Sequence, residues 1–169
     1  MTQVNAFGLS LRTIAAAAAL SFGAAPALAG QATATLSVTA TVGDSCSVGL
    51  SPVAFGRVEP GAATAATGNL VVACTSGTAW TATADRGSGA GASVADRRLS
   101  SGESQLSYAL YADSARTALW GDGSASTMTI GDSGTGAAQS FPIHGEIGPD
   151  QLDARPGFYS DVVTVTIAY

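Results

Sequence analysis

Few residues in this chain are equipped for chemistry. His144 is the only histidine in 169 residues, so any Ser-His-Asp relay or histidine general-base step has to run through it. Alternation over residues 141–147 places it opposite Phe141, Ile143 and Ile147, with Glu146 on its own side. That is the position of a solvated outer-face histidine rather than of a catalytic base. Asp122 and Asp132 stand in glycine-rich stretches where carboxylates can ligate calcium. They lack the regular carboxylate spacing of a calcium loop, and turn chemistry accounts for them. Arg97 and Arg98 are available to a partner, but read by default as a solvated strand end. No G-x-S-x-G, P-loop, G-x-G-x-x-G or H-E-x-x-H pattern occurs. The expectation is a protein that is not an enzyme and uses neither cofactor nor metal.

The remaining reactive pair is Cys46 and Cys74. Neither has a second cysteine nearby, and one histidine is too few for a zinc site, which argues against metal or redox use. The start of the chain decides their state. Arg12, a small-residue apolar run over 13–25 and the A-x-A signal Ala27-Leu28-Ala29 make residues 1–29 a secretory signal peptide. The run is too short to span about 30 Å of hydrocarbon. In an exported chain an even pair of cysteines reads as a structural disulfide. Closing that loop stabilises the fold by roughly 3–4 kcal/mol on the chain-entropy account.

Residues 30–169 suffice for one domain with a real core but not comfortably for two. There are twelve acidic residues against seven basic ones, none of them lysine, and a formal net charge of −5. Such a chain is a poor ligand for nucleic acid or anionic membrane.

The elements that must position these residues read as strands. Gly, Ala, Ser and Thr dominate, and no window sustains an apolar period of 3.6 residues. Residues 31–42, QATATLSVTATV, alternate strictly: Ala32, Ala34, Leu36, Val38, Ala40 and Val42 fall on one face and the hydroxyls on the other. A strand that long at a free terminus either pairs within its own sheet or adds to the open edge of another. Short apolar pieces come next at 46–50 and 53–58 around Pro52, then a loop over 59–68. Strands are expected at 69–75, at 79–84 around Trp80, from Arg97, at 105–111, briefly at 118–120 and 127–130, and at 141–147. Glycine-rich turns, such as 131–136, separate them. The chain closes with a long strand over 158–169 that puts Tyr159, Val163, Val165, Ile167 and Tyr169 on one face. This is the pattern of an all-β sandwich or barrel.

Several segments together resemble the spore coat protein U domain family, which includes subunits of archaic chaperone–usher pili. They are the alternating strand leading to Cys46, Ala54-Phe55-Gly56, and Leu70-Val71-Val72-Ala73-Cys74-Thr75. Further segments are 106–113 with Ala115-Arg116-Thr117, Trp120-Gly121-Asp122-Gly123 and Ile143-His144-Gly145-Glu146-Ile147. The last is the ending from Gly157-Phe158-Tyr159-Ser160-Asp161 through Val163-Thr164-Val165-Thr166. The resemblance implies an incomplete immunoglobulin-like β-sandwich with one disulfide, completed by a donor strand. It divides the chain into a signal peptide (1–29), an N-terminal donor strand (30–43) and a pilin-like domain (44–169). Ala32, Ala34, Leu36, Val38 and Ala40 then fill a neighbour's groove. The groove beside Tyr159, Val163, Val165, Ile167 and Tyr169 receives first a periplasmic chaperone and then, at an outer-membrane usher, the next subunit's donor. The implied destination is a surface fimbrium serving adhesion or biofilm. A secreted coat or matrix protein using the same strand exchange is the alternative, ahead of a sugar-binding tip adhesin, which needs a further domain, and of a hydrolase based on His144. A type IV pilin is disfavoured by the Thr-rich processed end, and sortase-linked pili by the absence of lysine.

Overall fold

The computed structural model describes residues 29–169; of the expected signal peptide, all but Ala29 lies outside them. The described residues fall into two units, the first ending at Thr39 and the second running from Ala40 to Tyr169. In the first, residues 29–39 have no regular secondary structure and every one is exposed, Leu36 at 87% and Val38 at 83%. Residues 40–45 of the second unit likewise carry no strand. The alternation over 31–42 therefore does not become a strand in the isolated chain, since a strand exists only where a neighbour pairs with its amides and carbonyls.

In the second unit, eight strands form two sheets. β1 (Cys46–Ser51), β2 (Thr64–Cys74), β7 (Ala138–Ile147), β5 (Ser104–Tyr111) and β4 (Arg97–Ser101) lie side by side in that order; β6 (Ile130–Ser133), β3 (Ala79–Ala84) and β8 (Val165–Ala168) make the second sheet. Every ladder is antiparallel. Period-two patterning explains the packing: Leu70, Val72 and Cys74 alternate inward on β2, Trp80, Ala82 and Ala84 on β3, and Leu106, Tyr108 and Leu110 on β5. Ile130 of β6, Ile143 and Ile147 of β7, and Trp120 are buried with them. The Trp80 ring meets Phe141 edge to face, centroids 5.2 Å apart, an arrangement favoured by the ring quadrupoles.

The differences from the sequence expectation have local causes. β2 begins at Thr64, inside the stretch expected to be a loop, because the small residues of 64–67 pair with 144–147 of β7. Small side chains carry little strand signal of their own. β6 forms partly within the expected turn at 131–136, and residues 118–120 make only the single bridges Tyr111–Leu119 and Trp120–Met128. Arg97 corrects the expectation of a solvated strand end: it faces inward opposite Tyr108 and is fully buried. Its Nε donates to Asp85 O at 2.8 Å, and its Nη2 to Trp120 O at 3.0 Å and Ala84 O at 3.3 Å. Arg98, on the opposite face, is partly exposed and pairs with Asp96 at 2.8 Å.

Cys46 and Cys74 are bonded, facing each other across the first pair of the β1–β2 ladder. Replacing both by serine should lower unfolding stability by roughly 3–4 kcal/mol. Thermal denaturation of the double variant against the oxidised parent checks this, and an unchanged melting temperature would contradict it.

Candidate functional site: an uncovered strip of core

Directly opposed residues of an antiparallel pair point to the same face. On β1, Val48 faces Val72 and Leu50 faces Leu70. Both partners are fully buried, so Val48 and Leu50 also point to the core side. Yet they are 47% and 54% exposed. Inward-facing residues of a finished sandwich are buried; here a strip of core lies open.

The second border is β8. It bonds to β3 along one side, and among the described residues no ladder occupies its other side. Val163, Val165 and Ile167 pack against the core but remain half-buried. Tyr159 is half-buried with its hydroxyl donating to Arg155 O at 2.7 Å, while Tyr169 is exposed. The five residues expected along the groove therefore do not share one environment.

Between the chain leaving β1 and the chain entering β8 lies a cleft of about 940 Å³. One wall is the irregular segment 52–60, which crosses the inner face of the large sheet. Val53 and Phe55 reach β7 only because position 145 is glycine: a Cβ there would collide with both side chains. Phe55 continues edge to face against Tyr108, centroids 6.1 Å apart. The other wall is 154–161, including Phe158 and Tyr159, and Leu99, Leu106 and Ile147 also line the cleft.

Alternation predicts one strand over 158–169, but only Val165–Ala168 forms one. Before it, Ser160 makes a lone two-way bridge with Ser100, at 2.9 and 3.1 Å, and carboxylates replace the ladder. Asp161 Oδ1 accepts from Ser88 N (2.7 Å), Ser88 Oγ (2.7 Å) and Val162 N (2.8 Å), and its Oδ2 accepts from the Tyr108 hydroxyl (2.7 Å). Asp85 Oδ1 accepts from Gly87 N and Thr164 N, both at 2.9 Å. Burial pushes the Asp161 carboxyl up, but the donors from Tyr108, Ser88 and Val162 outweigh it and hold the group below the usual carboxylate range. At Asp85, burial is likewise outweighed by the Gly87 and Thr164 donors and the nearby Arg97 charge. Burial, then Asp161, raises the Tyr108 hydroxyl.

The other chemical candidates lie elsewhere. His144 is on the outer face of β7, its Nδ1 3.4 Å from Thr67 Oγ1, and its neighbour Glu146 faces Arg116 at 3.4 Å. Asp122 accepts from Ser124 N and Oγ in a turn, and Asp132 from Ser133 N and Gln139 Nε2. Sequence reading missed Val48 and Leu50 as part of the open strip, although the alternation of CSVGLS carries the signal. The carboxylate clamps had no signal, because single Asp residues in Gly/Ser-rich stretches look like ordinary turn residues.

Two antiparallel sheets packed around one core, with a disulfide across the first ladder and a strip of core left open, define an immunoglobulin-like sandwich. The chain is similar, at a TM-score of 0.58, to a solved chain of the CsuC–CsuE chaperone–tip adhesion subunit pre-assembly complex from archaic chaperone–usher Csu pili of Acinetobacter baumannii. Identity is 19%, and the match covers 76% of this chain but only 41% of that one. The profile of the Spore Coat Protein U domain matches residues 32–166, and the chain belongs to that family. Protein U of Myxococcus xanthus is 32% identical over 183 residues, covering 98% of this chain and all of the relative.

Proposed function

We propose that this protein is an exported structural subunit of a chaperone–usher-type fibre, polymerising head to tail by donor-strand exchange. The observation that carries the reading is the half-exposure of Val48 and Leu50, which face the core side of β1, together with the unpaired edge of β8. A strand laid along that opening supplies what the sandwich lacks: backbone bonds worth roughly 0.5–1.5 kcal/mol each, net, and apolar cover for the strip. Residues 30–43 of a neighbouring copy have the matching pattern, with Ala32, Ala34, Leu36, Val38 and Ala40 facing the groove and Thr33, Thr35, Ser37 and Thr39 facing out. Head-to-tail exchange of this kind is heterologous and does not close, so it grows a fibre. On this reading a periplasmic chaperone covers Val163, Val165 and Ile167 in transit, an outer-membrane usher exchanges it for the donor, and the product stands on the cell surface in adhesion or biofilm. The structural likeness to a chain from a chaperone–pilus subunit complex supports the fold this requires.

The second reading keeps the strand exchange but places the product in a secreted coat, and the kinship with Protein U favours it. One experiment tests what both share. Mature protein refolded with its disulfide should form SDS-resistant ladders, and deletion of residues 30–42 should leave an unstable monomer. A stable monomer in both cases would mean that the sandwich needs no donor.

A further inference from the structure

The chain that leads from the cleft wall into β8, residues 158–164, owes its course to side chains rather than to a ladder. Asp161 is seated in the loop 85–89: Ser88 gives its carboxylate two bonds, and Gly87 lies flat against it. Gly87 has a φ of 80°, and a Cβ on it would fall inside the Asp161 carboxylate. Asp85, at the head of the same loop, bonds Thr164 N through its side chain, and its own N–H donates to Thr164 O at 3.0 Å. Residues 161–164, which carry the end of the wall into β8, are thus fastened at both ends to one loop. That loop is fastened to the core by Arg97, which holds the carbonyls of Ala84 and Asp85.

We propose that Asp161 in the 85–89 loop is an acid-released latch, which holds residues 158–164 in place where the cleft wall leads into β8 and lets them go when its carboxylate is protonated. The charged and titratable groups around it are Asp85, Tyr108 of β5, Arg97 of β4 and, beyond Arg97, Asp122. Tyr108 stays protonated and Arg97 stays charged across the relevant range, so the two aspartates decide the response. Protonation discharges the carboxylate and turns one of its oxygens into a donor, so the charge-assisted bonds that two amides and two hydroxyls make to it weaken. Both aspartates have lowered carboxyl pKa values in the fold. Their contribution is therefore complete above the ordinary carboxylate pKa and disappears as pH falls through the lowered folded values. A donor would then meet a wall that is already in place at neutral pH and loosened in acid. That consequence rests on the strand-exchange reading, whereas the latch itself does not.

Amide hydrogen exchange on the mature, oxidised chain tests the latch without any partner. Protection at Ser88 and Val162 should fall about ten-fold as Asp161 is protonated, and that at Thr164 as Asp85 is, while the β2 and β7 amides keep theirs. Asp161→Asn should show the reduced protection at Ser88 and Val162 already at neutral pH, with a flattened pH response there. Gly87→Ala, which leaves every charge in place, should lower the same three amides. Wild-type protection and an unaltered acid response in both variants would overturn the proposal. So would acid opening in which β2 and β7 exchange together with the three reporter amides. If Asp161→Asn does not fold, Gly87→Ala decides alone by the same readout. Failure of a residue 30–42 peptide to bind, with the latch behaving as stated, counts against strand exchange and not against the latch.

Discussion

If residues 30–43 are the donor strand, a Leu36→Asp or Val38→Asp chain is expected to fold, form its disulfide and be captured by a chaperone, yet assemble no ladder. Leu36 is the largest side chain on the apolar face of residues 31–42 and is 87% exposed in the chain by itself. In a neighbour's groove it gains roughly 1.5–3 kcal/mol from burial. Aspartate forfeits that gain and adds the cost of an unpaired carboxylate against apolar surface, several kcal/mol after relaxation. A loss of at least about 4 kcal/mol lowers donor affinity a thousand-fold or more. Thr35→Asp, on the opposite parity, is the control and should polymerise. The measurement is the SDS-resistant ladder together with fibre yield at the cell surface. Fibres of normal length from the Leu36→Asp chain would remove residues 30–43 from the donor role.

Deleting residues 165–169 should act earlier and harm the domain itself. The deletion removes all of β8, its ladder to Thr81–Ala84 of β3 and the core contacts of Val165 and Ile167. Two such side chains are worth roughly 1.5–3 kcal/mol each, a large share of the 5–15 kcal/mol that holds a typical domain. The edge that the proposed chaperone and donor would use disappears with them. Co-expression with the chaperone should yield no complex, and the chain should be degraded during export. Normal accumulation of the truncated chain would sink the open-groove account.

The sheets were legible in the sequence wherever large apolar residues alternate. Leu70 and Val72, Trp80, Leu106 with Tyr108 and Leu110, and Ile143 with Ile147 all lie inside as their parity predicts. Legibility failed where the side chains are small or the backbone is held from outside. Residues 64–67 offer only Ala and Thr, so the start of β2 looked like loop. The parity of 158–169 correctly turns Val163, Val165 and Ile167 inward, but parity says nothing about whether amides are bonded to a strand or to Asp85 and Asp161. Arg97 misled for another reason: a guanidinium can be buried when three carbonyls receive it, and those carbonyls come together only in the fold. The open strip was half visible, because Val48 and Leu50 announce a face but not that nothing covers it.

The disulfide acquires a mechanical meaning in a fibre. Tension applied through residues 30–42 enters the domain at Gly43-Asp44-Ser45 and would reach β1 at its first residue, the point from which an edge strand peels one bond pair at a time. There Ser45 O accepts from Thr75 N at 2.9 Å, Asp44 Oδ1 accepts from Thr78 Oγ1 at 2.7 Å, and Cys46 is covalently joined to Cys74. The pull therefore bypasses β1 and is delivered to β2, which is zipped on both sides, by β1 over six residues and by β7 over ten. In the proposed fibre, load would then be borne by an interior strand held on both sides, and a pull at the root of the subunit would not unzip it from its edge.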